Sequence, residues 1–348
     1  MGTFKKALPW LVLAAVVGLV AWKLHSSHFD WAGFGRSLKT ADLRLVGLGL
    51  VVVWSNNLLR AMRWAVFLRP ALRQEAALNN AEARKIHWWN LVGSQFVGFT
   101  GLAIFGRIGE LIRPLLVARR TGLTFSSQVA VVTVERVFDL GAFGLLFSLN
   151  LLFSPALRSL PYLSKAGYTI GGLTVAIGIF VALVRLAGEL VAKLAKAMFG
   201  MASKSAGEAV AAKILSFRDG LNVIDSMADF AMASFLSMAL WLTIALAYVL
   251  VLKAFPPPVH DLTVAHTIVL LGFSIAGSAL PIPGGGGALA TIAFALANLF
   301  AVPPELASSA ALLVWLVTTL GVVPVGLIFA KFEGVSLGQM AKRSEAAA

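Results

Sequence analysis

The sequence contains no cysteine. That excludes disulfides, thiol nucleophiles and cysteine-ligated metals. Charge is scarce as well: 13% of the 348 residues are Asp, Glu, Lys or Arg, while 59% are hydrophobic. A soluble chain of this size needs more polar surface than that. Acidic residues are the rarer charge, 16 against 29 Lys and Arg, for a formal net charge of +13. The excess does not point to nucleic acid, because no basic cluster is interleaved with aromatics on which bases would stack. It fits cytoplasmic loops facing anionic lipid. There is no GxxxxGKS nucleotide loop, no HExxH motif and no serine with a plausible histidine/aspartate pair. The histidines lack metal-ligand spacing. The expectation is a non-enzymatic protein with no cofactor and no nucleic-acid partner.

What is present is a series of apolar runs near membrane-spanning length. They predict a single all-α, polytopic integral membrane domain over residues 1–348, with about six full spans. Expected spans cover residues 8–24, 43–59, 124–153, 167–186, 230–254 and 306–330. Residues 25–42 read as an external segment with an interfacial anchor at Asp30–Phe34. Residues 187–225 read as a cytoplasmic connector whose stretch from Leu190 to Met201 has the pattern of a basic amphipathic helix. Basic residues in the connecting loops put both termini on the cytoplasmic side.

Two stretches do not fit full spans. Residues 90–120 hold two short apolar pieces joined at Gly106 and Gly109, with basic residues at both ends. Residues 263–301 hold two more, joined through Pro281, Pro283, Gly284, Gly285, Gly286 and Gly287. Both predict helical hairpins that re-enter the membrane, the first from the cytoplasmic side and the second from outside. Irregular backbone at that depth requires protein or a watery cavity around it. The halves, 43–153 and 226–332, then mirror each other, each with a hairpin, a Ser-Ser pair (Ser126-Ser127, Ser308-Ser309) and a long helix. Paired interrupted segments of this kind point to an inverted-repeat transporter with its site at the midplane.

The ionisable residues inside apolar sequence are the candidate site. They are Arg107, Glu110, Arg113, Glu135, Arg136 and Asp139, three of each sign. Charge buried in a bilayer is costly and marks a pathway or a binding site. Arg107 and Arg113 lie three residues either side of Glu110, and Pro114 leaves the Glu110 carbonyl without an N–H partner. Glu135, Arg136 and Asp139 share a helix flank. Two readings fit these spacings. In one, the arginines hold a lipid phosphate bidentately and the acids hold a cationic group or a proton. In the other, the charges lock helices together. Asn56, Arg60 and Arg63 end the second span and mark a possible headgroup entry, or arginines that snorkel to the interface.

The blocks Gly106–Pro114, Val134–Asp139 and Pro281–Gly285 resemble the signatures of the lysylphosphatidylglycerol synthase transmembrane (flippase-like) family, and the resemblance covers nearly the whole chain. It implies a bacterial inner-membrane protein that moves a phospholipid, or a lipid-linked headgroup, between leaflets. The partner lipid would be anionic or aminoacylated phospholipid. A non-transporting protein that presents lipid to a separate lipid-modifying enzyme is the alternative. The chain reads as a stand-alone member without the cytosolic aminoacyltransferase domain, so aminoacyl transfer is not implied. Relatives often carry an acid shortly after the Pro-Gly-Gly turn; Ala290 stands there in this chain.

Overall fold

The computed structural model describes residues 29–78, 86–157, 161–201, 203–221, 224, 226–280, 282 and 285–334. The expected first span, Pro281, Pro283 and Gly284 lie outside the described residues, as does the side chain of Arg107. Every described regular element is a helix. The protein is an all-α polytopic membrane protein. Four helical segments are long and apolar enough to cross a membrane: Leu43–Leu78, Lys165–Gly200, Met227–Lys253 and Pro304–Phe332. Helix α1 is Trp31–Lys39, α2 Leu43–Leu78, α3 Trp89–Phe105, α4 Ile112–Thr121, α5 Phe125–Phe153 and α6 Pro161–Gly200. Helix α7 is Lys204–Leu221, α8 Met227–Lys253, α9 Val264–Ser278, α10 Gly286–Leu299, α11 Pro304–Trp315 and α12 Val323–Phe332.

The chain divides into two compact units. One comprises residues 51–246 and 320–348 and contains the α3–α4 hairpin. Helix α3 ends at Gly106, whose φ of 64° opens a six-residue 3-10 turn, Gly106–Leu111. Pro114 falls in the first turn of α4, where a missing N–H costs no helical bond. Helix α4 stops at the left-handed Gly122. Its ten residues extend only about 15 Å, half a bilayer core. The hairpin buries Val97, Ile112 and Leu116 against Ala330 and Phe329 of α12. Phe96 stacks on Phe329 at 5.6 Å, and Arg120 pairs with Glu333 at 2.8 Å. Burial pushes the Glu333 carboxyl up, and Arg120 opposes the shift.

The other unit comprises residues 1–50 and 247–319 and contains the α9–α10 hairpin. Thr263 and His266 form a reciprocal capping box that starts α9. Gly285, with a φ of 73°, caps α10. Within residues 25–42, Trp31–Lys39 forms a helix packed on α11, and Ser309 donates to the Phe34 carbonyl at 3.0 Å. Beside it, the Gly33 backbone N–H and the Arg36 guanidinium hold the exposed Asp30 carboxyl below its usual range.

Each hairpin is pinned by a glycine pair. A Cβ on Gly109 would overlap the backbone of Gly101, and a Cβ on Gly287 would overlap that of Gly277. The arms therefore touch backbone to backbone. Gly109→Ala should force them apart and lower stability by about 1–3 kcal/mol, read as an earlier thermal transition in detergent. An unchanged transition would mean the turn is loose.

Helix α2 and the Ser-Ser pairs differ from the sequence expectation. Helix α2 does not stop near Leu59 but runs on to Leu78, because Trp64, Phe67 and Leu68 continue an inward apolar face beyond the arginines. Helix α6 bends at Ala187 (φ −137°, ψ 37°) and continues to Gly200, where α7 folds back along it through Arg218–Glu189 and Lys196–Glu208 pairs. The Ser-Ser pairs also play unlike parts. Ser127 closes the N-cap turn of Thr124, whereas Ser309 is buried inside α11.

Candidate functional site

The first unit holds a buried ion cluster built by α2, α3, α4, α5 and α8. Asn56, Arg60 and Arg63 lie on one face of α2; Gln128, Glu135 and Asp139 lie on one face of α5. Arg63 donates to Glu135 Oε1 and to Asp139 Oδ1, both at 2.6 Å, and to Ser237 Oγ at 2.7 Å. Arg113 forks onto both oxygens of Glu135 and also donates to Gln95 Oε1 at 3.1 Å. Arg60 donates from Nε to Asn56 Oδ1 at 3.0 Å and stands 3.9 Å from Glu135. Asn56 is itself fixed by the Leu240 carbonyl and Thr243.

Aromatic faces complete the walls. The Arg60 guanidinium lies 4.6 Å from the centre of the Phe99 ring, and Arg113 lies 4.3 Å from that of Trp64. Cations over such faces gain attraction most where water is excluded. Trp64 is held by its indole N–H to Gln128 Oε1 at 3.1 Å. Buried polar atoms without a hydrogen-bond partner among the described residues include Arg63 Nε, Gln95 Nε2 and Ser94 Oγ.

Three arginines thus face two carboxylates, a formal excess of one positive charge within the cluster. The excess is not shared evenly. Arg63 is fully buried between its two acids, and Arg113 has a bidentate partner. The Arg60 side chain keeps 14% of its surface exposed and has only a long contact to a carboxylate already served twice. Arg60 is the cation of this cluster best placed to take an incoming anion.

The sequence candidates are distributed as follows. Arg113, Glu135 and Asp139 meet in the cluster with Asn56, Arg60 and Arg63. Arg63 does not snorkel to an interface. Glu110 pairs with Arg136, whose side chain is half exposed, while Arg113 is taken up by Glu135. Arg136 follows Glu135 by one residue, a rotation of about 100° around the helix, and so leaves the Glu135 face. The flank shared by Glu135 and Asp139 therefore excludes it. This exposed pair should contribute at most about 1 kcal/mol; Arg136→Gln should leave the thermal transition in place.

Sequence reasoning missed Gln95, Phe99, Trp64, Gln128 and Ser237. The two glutamines carried a signal, since each is a polar residue inside an apolar helix. Phe99, Trp64 and Ser237 carried none, because aromatic and hydroxyl side chains are ordinary there.

No solved structure matches the chain significantly. One curated relative, Glycosyltransferase AglD of Haloferax volcanii, is 26% identical over 331 residues, covering 87% of this chain and 51% of its own length. The chain thus spans about half the length of that relative. The family described as "Lysylphosphatidylglycerol synthase TM region" matches over residues 10–326. The chain belongs to the lysylphosphatidylglycerol synthase transmembrane-region family.

Proposed function

We propose that the protein moves a phospholipid, or a lipid-linked headgroup, between the leaflets of a bacterial inner membrane, with both termini cytoplasmic. The observation that supports this most is the unbalanced cluster: three arginines against two carboxylates, with the excess on the partly exposed Arg60. A phosphate would supply the missing negative charge through bidentate bonds to a guanidinium. Helix hairpins too short to cross, followed by long helices, fit a carrier whose site changes access. The acids already hold arginines, so they serve here to position cations.

Leaflet exchange in proteoliposomes tests the reading. The pure protein would be reconstituted with headgroup-labelled phosphatidylglycerol and with an aminoacylated analogue, and quencher accessibility followed over time. Arg107→Ala, the substitution the sequence nominates, would run beside Arg60→Ala. Exchange of one headgroup class, lost in these variants while folding persists, is the expected result. No exchange for any lipid by folded protein would sink it.

A second reading, lipid presentation to a separate enzyme, is favoured by one finding. The relative named a glycosyltransferase is about twice as long as the stretch shared with this chain. Product formation by the purified chain alone would establish an enzyme.

A further inference from the structure

Helix α6 is too long for one crossing. From Lys165 to Gly200 it runs 36 residues. That is about 54 Å, against about 30 Å of hydrocarbon. Its bend at Ala187 falls about 34 Å along, where one crossing is complete. Residues 188–200 add about 20 Å more and have two unlike sides. One side packs on α7. A Cβ on Gly188 would strike Arg218, Ala192 is buried, and Gly207 of α7 lies against the backbone of Lys196 and Gly200. The opposite side carries Leu190, Leu194 and Met198, with Met201 just beyond, each more than half exposed. Spacings of four, four and three keep them in one row.

Neither water nor hydrocarbon suits this stretch. In water, four large apolar side chains in line would stand bare. In hydrocarbon, Glu189, Lys193 and Lys196 would all be charges out of place. The boundary between the two satisfies both. Charge then selects the kind of boundary. From residue 188 to the end of α7, five basic residues stand against three acidic ones, a net of two positive charges. Glu189 and Glu208 are taken up by Arg218 and Lys196. Lys193 is exposed at the edge of the apolar row, about 60° round the helix from Leu190, and has no ion pair among the described residues.

We propose that residues 188–201 dock in the plane of the membrane, apolar row inward, on the anionic surface of the leaflet from which they emerge. Helix α7 rides on the water side. In the orientation proposed above, that leaflet is the cytoplasmic one. A helix with an apolar row and basic flank binds such a surface by burying the row while its lysines meet the negative headgroups. The surface is recognised as a whole, and no single lipid is selected. The inference goes beyond the transport reading and stands without it.

The test is nitroxide depth measurement on the full chain. The sequence has no cysteine, so single labels can be placed without background. Leu194→Cys lies on the row, Val175→Cys within the crossing and Ala209→Cys on α7, all at exposed positions. Each would be labelled and reconstituted in phosphatidylcholine vesicles with and without phosphatidylglycerol, and its accessibility to oxygen and to a nickel chelate compared. With phosphatidylglycerol, the label at Leu194 should be shallower than that at Val175 and shielded from nickel, while that at Ala209 stays wet. Lys193→Glu should lower the ratio of docked to free label at Leu194 at least about fivefold, the worth of one basic residue near an anionic surface. Leu190→Ser should lower it as well, by unburying one large apolar side chain. All these positions are exposed, so the fold does not rest on them. A label at Leu194 as wet as that at Ala209, as deep as that at Val175, or equally docked in neutral vesicles overturns the proposal. So does dipolar broadening between labels at Leu194, which would assign the row to a second copy of the chain. Depth is read without any lipid exchange, so docking without exchange removes only the transport reading, and exchange without docking removes only this one.

Discussion

Arg63→Met should leave little folded protein. Arg63 is wholly buried and touches two carboxylates and a hydroxyl. Removing its charge strands Asp139, whose sole ion-pair partner among the described residues is Arg63. Breaking a buried pair by deleting one partner costs about 3–5 kcal/mol, because the remaining charge keeps its desolvation cost and loses its compensation. That is a large share of the stability of most domains. The measurement is fluorescence-detected size exclusion after detergent extraction, with a thermal transition on whatever remains monodisperse. Adding Asp139→Leu to Arg63→Met should restore part of the folded fraction, since it removes the stranded charge and leaves Glu135 paired to Arg113. A single variant as stable as the parent would show that Arg63 is not a lock.

Arg60→Ala should do the opposite: keep the fold and lose the exchange. Three features separate Arg60 from Arg63. It retains some exposure, its carboxylate contact is long at 3.9 Å, and Glu135 is served by two other arginines without it. Truncation leaves no acid uncompensated in the cluster. If the excess cation receives a phosphate, headgroup exchange should fall at least about thirtyfold, the low end for removing one partner of a desolvated charge pair. Arg60→Lys should recover part of the rate, because it restores the charge without the bidentate fork. Exchange that survives in Arg60→Ala would move the anion site elsewhere, with Arg107 next. Exchange lost only together with the thermal transition would make Arg60 a structural residue.

These two arginines lie three residues apart on one helix, and the sequence offered them as a pair. The reason is general. Hydropathy and glycine or proline content are local properties, and each acts where it stands. They sufficed to anticipate the long spans of α2, α6, α8 and the α11–α12 segment, and to place turns near Gly106 and Gly285. They also marked the unusual charges, since an Arg or Glu inside an apolar run is visible without any partner. Element ends were less legible. The arginines after Leu59 looked like a loop because composition does not show that one face of α2 stays apolar to Leu78.

What the sequence by itself determined is an all-α membrane domain, turns near Gly106 and Gly285, and a set of ionisable residues placed in apolar surroundings. Only the tertiary structure decided which charge meets which. Arg63 reaches Glu135 across 72 residues of sequence, and Glu110 meets Arg136, 26 residues away. Such pairings depend on how each helix is rotated and how closely it packs, so a rotation of about 100° sends Glu135 inward and Arg136 outward. The same packing leaves Arg60 as the cation in excess, a property that belongs to the assembled cluster and to no residue alone.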